Sequence, residues 1–307
     1  MKLADLHCDT PYELYKRKTS LYDGNTAFTV EKCEKSDIHS VLQVMAFWSD
    51  PKRSPDECYS DFFAMFENLG REIEECSLKT SAELPAIILS IEGARLVGSN
   101  LSRLAVLREY GVRVLAPVWG GNELCGGAYD SEEGLTDFGK KLIKECETLG
   151  ITIDVSHMSE KSFWDTVNIS QKPIVATHSN AAAICGHRRN LSDTQVRTIA
   201  GSGGVIGVSV CAKHIAGKYA EVLPDDAELF VKEFCDHIEH YIGLGDVVSG
   251  CICLGCDFDG TQTSVGITDV SCMTKVEKEL LARGIGKGTA EGVMWKNAVD
   301  FFDRILK

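Results

Sequence analysis

Residues 151–190 read ITIDVSHMSEKSFWDTVNISQKPIVATHSNAAAICGHRRN, and two short apolar runs within them, 151–157 and 173–178, each stop at a histidine, His157 and His178. A helix-like segment lies between the two runs. Strands that end in metal-ligand side chains and are joined by a crossover helix are what a metal site at the mouth of a parallel barrel looks like in sequence. The remaining ligands must then come from the ends of other strands.

Outward from this stretch, the N-terminus reads KLADLHCDTP, a strand-like run ended by Pro11. Side chains two apart on a strand share a face, so His7 and Asp9 project together and can converge on one ion. Residues 10–37 are irregular and polar, a loop with short helical pieces. A second apolar run is 40–48 (SVLQVMAFW), and 54–79 is helical, with Phe62, Phe63, Phe66, Leu69 and Ile73 at helical spacing. A third strand, 85–93 (PAIILSIEG), puts Glu92 directly after an apolar run, where a carboxylate needs a cation. A helix over 101–110 leads to a fourth strand at 112–119, followed by the Gly-rich loop GGNELCGGAYD, which lacks phosphate-binding spacing and reads as an active-site loop. Thr136 is placed to cap a helix over 136–149 that closes at Gly150.

Beyond residue 190 the pattern predicts a helix at 192–200, a strand at 204–210 (GVIGVSV) and a helix at 226–242 with Leu229, Phe230, Phe234, Ile238 and Tyr241 on its apolar side. A strand over 250–258 ends in CDFDG, and helices at 270–283 and 289–306 follow. Eight strands, nearly all separated by helices, give an α/β fold, a single TIM-like (β/α)8 barrel over residues 1–307 with its metal site at the C-terminal ends of the strands.

A chain of 307 residues, 44% hydrophobic and 25% charged, can bury a large core. Its formal charge of −13 argues against nucleic acid and anionic membrane as partners and for small molecules. No apolar run reaches the roughly 18 residues of a membrane span. Thirteen cysteines, an odd number scattered along the chain, fit reduced thiols and a cytoplasmic location. The tightest group, Cys251, Cys253 and Cys256, lies inside an apolar run and reads as small buried hydrophobes rather than a zinc knuckle.

In a barrel of this kind the strand ends meet on one face. The last inward-facing polar residues of the strands are His7 and Asp9, Glu92, His157, His178 and Asp257, and neighbouring inward positions such as Ser90, Ala176 and Gly255 are small. Nitrogen and oxygen donors point first to zinc, with other first-row divalent ions as alternatives. Six groups exceed the three protein ligands of a single catalytic zinc, so two Zn2+ sharing a bridging carboxylate is the economical reading. Such a pair can hold a bridging hydroxide and polarise a carbonyl, which is hydrolysis chemistry.

The motifs DLHCDTP, SIEGA, GLTDFGKKL, IDVSHMS, ATHSNAAAICGHRRN and LGCDFDG together resemble the membrane (renal) dipeptidase family of binuclear zinc peptidases, over most of the chain and in the manner of a soluble bacterial member. The resemblance implies that His7 and Asp9 bind one zinc, that His157 and His178 bind the other, and that Glu92 bridges them. It implies Asp257 as the carboxylate that manages the proton of the hydroxide and passes it to the leaving amine. Asp259, on the same face, is the alternative, with capping the next turn as its other role. The resemblance also implies that Arg189 holds the C-terminal carboxylate of a dipeptide, for which a guanidinium fork is suited, with adjacent Arg188 as the competitor.

One position departs from the family pattern: Trp119 stands where well-studied members have a histidine that polarises the scissile carbonyl. An indole N–H donates but takes neither proton nor charge. Trp119 and Asn122, in VWGGNEL, are expected to line the substrate pocket. The family accepts D-configured C-terminal residues and is homodimeric, so a zinc-dependent dipeptidase that works as a homodimer is expected. A related amidohydrolase acting on another amide, such as an N-acyl amino acid, is the alternative within enzymes, and a barrel kept as a binding protein is the alternative outside them.

Overall fold

The computed structural model describes residues 1–80, 83–121 and 123–306; Asn122 lies outside the described residues. Seven parallel strands form one sheet: β1 (Lys2–Cys8), β2 (Ser40–Trp48), β3 (Ala86–Glu92), β4 (Val112–Ala116), β5 (Thr152–Ile153), β6 (Ile206–Val208) and β7 (Ile252–Leu254), in the order β5-β4-β3-β2-β1-β7-β6. β1 is an interior strand, buried from Leu3 to Cys8 on both faces. Helices cover the outside, and their ends follow the sequence. Ser54 and Glu57 form a capping box ahead of Pro55–Lys79, and Ser192 and Gln195 do the same ahead of Asp193–Gly201. Thr136 caps Asp137–Leu149, which stops at Gly150 in the left-handed conformation.

The structure corrects three expectations. The run 151–157 contributes a strand of two residues only, and 173–178 forms no strand. Instead, that segment touches both sheet edges through single parallel bridges, Asp154 to Val175 and Ala176 to Ile206. Val175, Ala176 and Ser179 still donate to the carbonyls of Ile153, Val205 and Gly207, but side chains take the donors between them. The Asp154 carboxylate accepts the N–H groups of Ser156 (2.9 Å) and Thr177 (3.0 Å), Ser156 Oγ accepts that of His178, and Asn180 pairs with the backbone of Ser209 through both ends of its amide. A ladder cannot propagate where its donors are already spoken for. The segment also passes close to the far wall: a Cβ at residue 255 would sit 1.8 Å from the Thr177 carbonyl oxygen, so only Gly255 fits there.

Leu229 is exposed rather than core, because Phe230, Phe234, Ile238 and Tyr241 define the stripe of Ala227–Ile242 that packs inward and residue 229 lies about 100° off it. The C-terminal helix is interrupted by a π turn at Gly292–Lys296, after which Asn297 donates to the carbonyls of Ser249 and Ile252 beside β7. All thirteen cysteines are buried and free of disulfides. No helix among the described residues is long and apolar enough to cross a membrane.

Candidate metal centre

At the C-terminal ends of the strands, the side chains of His7, Asp9, Glu92, His157, His178 and Asp257 converge. Glu92 closes β3 and is the centre of the group. Its Oε1 lies 3.0 Å from His157 Nε2, 3.4 Å from His178 Nε2 and 3.5 Å from His7 Nε2. His7 Nε2 is also 3.6 Å from Asp9 Oδ2 and 4.0 Å from Asp257 Oδ1. Three sets of ligand atoms lie close enough to hold an ion: His7 with Asp9 and Glu92, Glu92 with His157 and His178, and His7 with His178 and Asp257. Glu92 is common to the first two.

The backbone at the site is unusual. His157 and Asp257 take the left-handed conformation (φ 69° and 63°), which non-glycine residues adopt only where the surroundings enforce it. Close by, a side chain at residue 260 would meet the Asp9 carboxylate at 1.9 Å, which explains Gly260.

Electrostatics indicate what the group lacks. Burial pushes the carboxyl of Asp257 well above its usual range, with repulsion from Asp9 and Glu92 adding to it. Burial and the charge of Glu92 likewise raise Asp9 to about 6. Burial opposes a charge on His7, but the adjacent Asp9 carboxylate and the fields of Glu92 and Asp257 outweigh it and push that ring up to about 10. His157 and His178 are held well below the usual histidine range by burial, with Arg189 adding to it. Three buried carboxylates therefore surround a space where positive charge is wanted. His7 Nε2 and Asp9 Oδ1 are buried there with no hydrogen-bond partner. Orphaned donor atoms of this kind, all nitrogen and oxygen, fit divalent cations.

The histidine tautomers are arranged by the Trp119 carbonyl and by Thr177 and Asp154, the last two of which the sequence did not single out. The Nδ1–H of His157 donates to the carbonyl of Trp119 (2.8 Å), leaving its Nε2 lone pair free. Thr177 Oγ1 donates to Asp154 Oδ2 and so accepts with its lone pairs from the Nδ1–H of His178 (2.9 Å) and of His7 (3.2 Å). One hydroxyl thus orients two rings. Replacing Thr177 by valine, of the same shape, is expected to weaken metal binding about 10–100-fold, as read by competition with a chromogenic chelator; undiminished affinity would show that the rings are oriented without it.

The two ambiguous pairs separate cleanly. Arg188 is exposed and paired with Glu132 (2.8 Å), whereas Arg189 is buried, with its guanidinium over the Tyr129 ring and no carboxylate within ion-pair distance among the described residues. Asp259 accepts from Thr10 Oγ1 (2.7 Å) and the N–H of Ala27 (2.7 Å), so it ties two segments together, and Asp257 alone of the pair faces the metal ligands. Trp119 stands between two cavities. One, of about 300 Å3, holds Arg189, Asp257 and Tyr129; the other, of about 340 Å3, is lined by Tyr12, Trp48 and Lys16. The indole stacks near His157 at 6.0 Å and meets Trp48 edge-on at 5.4 Å. Glu123, which no sequence pattern marks, accepts the N–H groups of Trp119 and Gly120 and holds the start of that loop.

Comparison with known proteins agrees with this geometry. A protein of Klebsiella pneumoniae, described only as uncharacterised and lying in the pqqA 5′ region, is 33% identical over 244 residues, 77% of this chain and 85% of its own length. Human dipeptidase 3 is 26% identical across 99% of this chain, which spans 65% of the human protein. In structure the chain is similar to a metallopeptidase of Rhodobacter sphaeroides liganded with a phosphinate mimic of the dipeptide L-Ala-D-Ala, with a TM-score of 0.84, 23% identity and 99% of each chain covered. The family model of the membrane dipeptidases, peptidase family M19, matches residues 69–306. On that match, and with a nitrogen and oxygen donor set at the strand ends, the chain belongs to the membrane dipeptidase family.

Proposed function

We propose that this protein is a metal-dependent dipeptidase with two ions, zinc first, held by His7, Asp9, His157 and His178 and shared across Glu92. The observation that carries the reading is the position of Glu92 Oε1, within 3.5 Å of three imidazole nitrogens that come from different segments of the chain. What bound zinc would supply is an acidified water and a polarised carbonyl. The chain's own residues do the rest. Arg189, buried and without an anionic partner, takes the carboxylate of the C-terminal residue and so measures the length of the substrate. Asp257 takes a proton from the attacking water and returns it to the leaving amine. Trp119 walls the pocket, and its carbonyl keeps His157 in the right tautomer. Asn122 is proposed to line the same pocket.

The reading extends to a closed eight-membered barrel, with 174–178 as the member that joins β5 to β6; the two bridges of that segment support this. It also extends to a homodimer in the cytoplasm acting on small dipeptides, including those with a D-configured C-terminal residue. Family membership, the reduced cysteines and the charge of −13 are its supports.

A second reading has its own observation. The cavity beyond Trp119 offers Tyr12 and Trp48 as aromatic walls for an acyl chain, beside the charged groups of Glu13, Lys16 and Asp259, and an N-acyl amino acid ends in the carboxylate that Arg189 requires. Both readings are tested with one panel of dipeptides and N-acyl amino acids, with bound metal measured in parallel. The expected result is hydrolysis of dipeptides at about two metals per chain, lost on chelation and restored by zinc. A metal-loaded protein that cleaves only N-acyl amino acids would replace the first reading with the second, and one that cleaves neither would overturn both.

A further inference from the structure

Within the cavity that holds Arg189 there is a second cation that the mechanism above leaves unused. Lys213 sits on a one-turn helix, Ala212–Ile215, directly beyond β6, and lines the same cavity as Arg189, His214 and Asp257. Its backbone is held firmly. Cys185 Sγ donates to the Lys213 carbonyl (3.6 Å), Asn190 Nδ2 to that of His214 (2.8 Å), and His237 Nε2 contacts that of Ile215 (2.9 Å). The N–H of Ala181 donates to His237 Nδ1, so Nε2 of that ring carries the proton and donates. The ammonium group itself has no ion-pair or hydrogen-bond partner among the described residues.

Neighbouring groups do not compete with it. His214 is buried against the His187 ring at 4.6 Å, and burial together with the charges of Arg189, His187 and Lys213 keeps it well below the usual histidine range. Asp130 is the one carboxylate lining this cavity outside the metal group, and its Oδ1 accepts the N–H of Gly121 (2.6 Å). In a chain of net charge −13, two cations without anionic partners thus share a cavity of about 300 Å3. An ordinary dipeptide brings one carboxylate to this side of the scissile bond, enough for Arg189 only.

We propose that Arg189 and Lys213 form a two-cation anchor, so that the site prefers dipeptides whose C-terminal residue is aspartate or glutamate, with the side-chain carboxylate on Lys213. This rests on the dipeptidase reading and narrows it to a substrate class. Lys213 is exposed, so solvent screens the pairing and the expected preference is modest.

The test compares kcat/KM of the metal-loaded protein for Ala-Glu and Ala-Gln, nearly equal in shape and different in charge, with the second residue in both the L and the D form. Ala-Glu is expected to be favoured about fivefold, mainly through KM, and the preference should fade at roughly 1 M salt, where the screening length is about 3 Å. Lys213→Met should bring the ratio close to one, and Lys213→Glu should invert it in favour of Ala-Lys. A wild-type protein that cleaves Ala-Gln as well as Ala-Glu, or a Lys213→Met variant that keeps the preference, would overturn the anchor while leaving the dipeptidase reading intact. Cleavage of none of these peptides by protein carrying two metals would remove the dipeptidase reading and the anchor with it.

Discussion

Replacing Glu92 by glutamine is expected to empty the centre of at least one metal and to lower kcat/KM by about 10^3-fold or more, since several kcal/mol of transition-state stabilisation depend on the ions. The substitution keeps shape and volume. It removes the charge of the one carboxylate that stands within 3.5 Å of His7, His157 and His178, and puts an amide, half of it a donor, against nitrogens whose lone pairs must face a cation. Metal content by atomic spectroscopy and kcat/KM on a dipeptide are the measurements. Thermal unfolding of the metal-free protein separates loss of function from loss of fold. Burial disfavours the charged form of Glu92, and a neutral amide of the same shape avoids that cost, so the metal-free variant should still unfold cooperatively as the metal-free wild type does. Full activity with two metals bound would refute the central role of Glu92.

The second large effect belongs to Asp257. An asparagine at this position accepts the left-handed backbone (φ 63°) that most residues would resist, so Asp257→Asn changes the chemistry with little strain. An amide cannot carry a proton from the attacking water to the leaving amine. A fall in kcat of about 10^2- to 10^4-fold is expected, with KM changed little and both metals retained. The metal count decides between two roles, because Asp257 also lies within reach of His7 and His178 as a third potential ligand group. Loss of one ion in the variant would make Asp257 a ligand, and wild-type kcat would exclude it from proton transfer.

The six polar residues of the centre were legible because they obey one local rule: each is the last polar side chain at the end of an apolar run, and a period of two sends alternate side chains to the same face. The helix cap Thr136 was legible for the same reason, since a cap depends on residues three apart in the chain. What could not be read were contacts between distant segments. Asp154 looks like one more polar residue in an apolar run, yet its carboxylate takes the N–H groups of Ser156 and Thr177 and so interrupts the ladder just beyond β5. The orientation of His157 comes from a backbone carbonyl at residue 119, which no side-chain pattern reports.

By itself, then, the sequence determined the α/β class, the candidate metal-binding side chains and the end of the sheet at which they meet, because these follow from local periodicity and from where apolar runs stop. Only the tertiary structure buried Arg189 and exposed Arg188, turned Asp257 to the candidate ligands and Asp259 away from them, oriented three imidazoles through Thr177 and the Trp119 carbonyl, and brought Lys213 into the cavity that holds Arg189. Those outcomes depend on which groups from remote segments reach the same few ångströms of buried space, where an unpaired charge or donor is costly and each must find its partner.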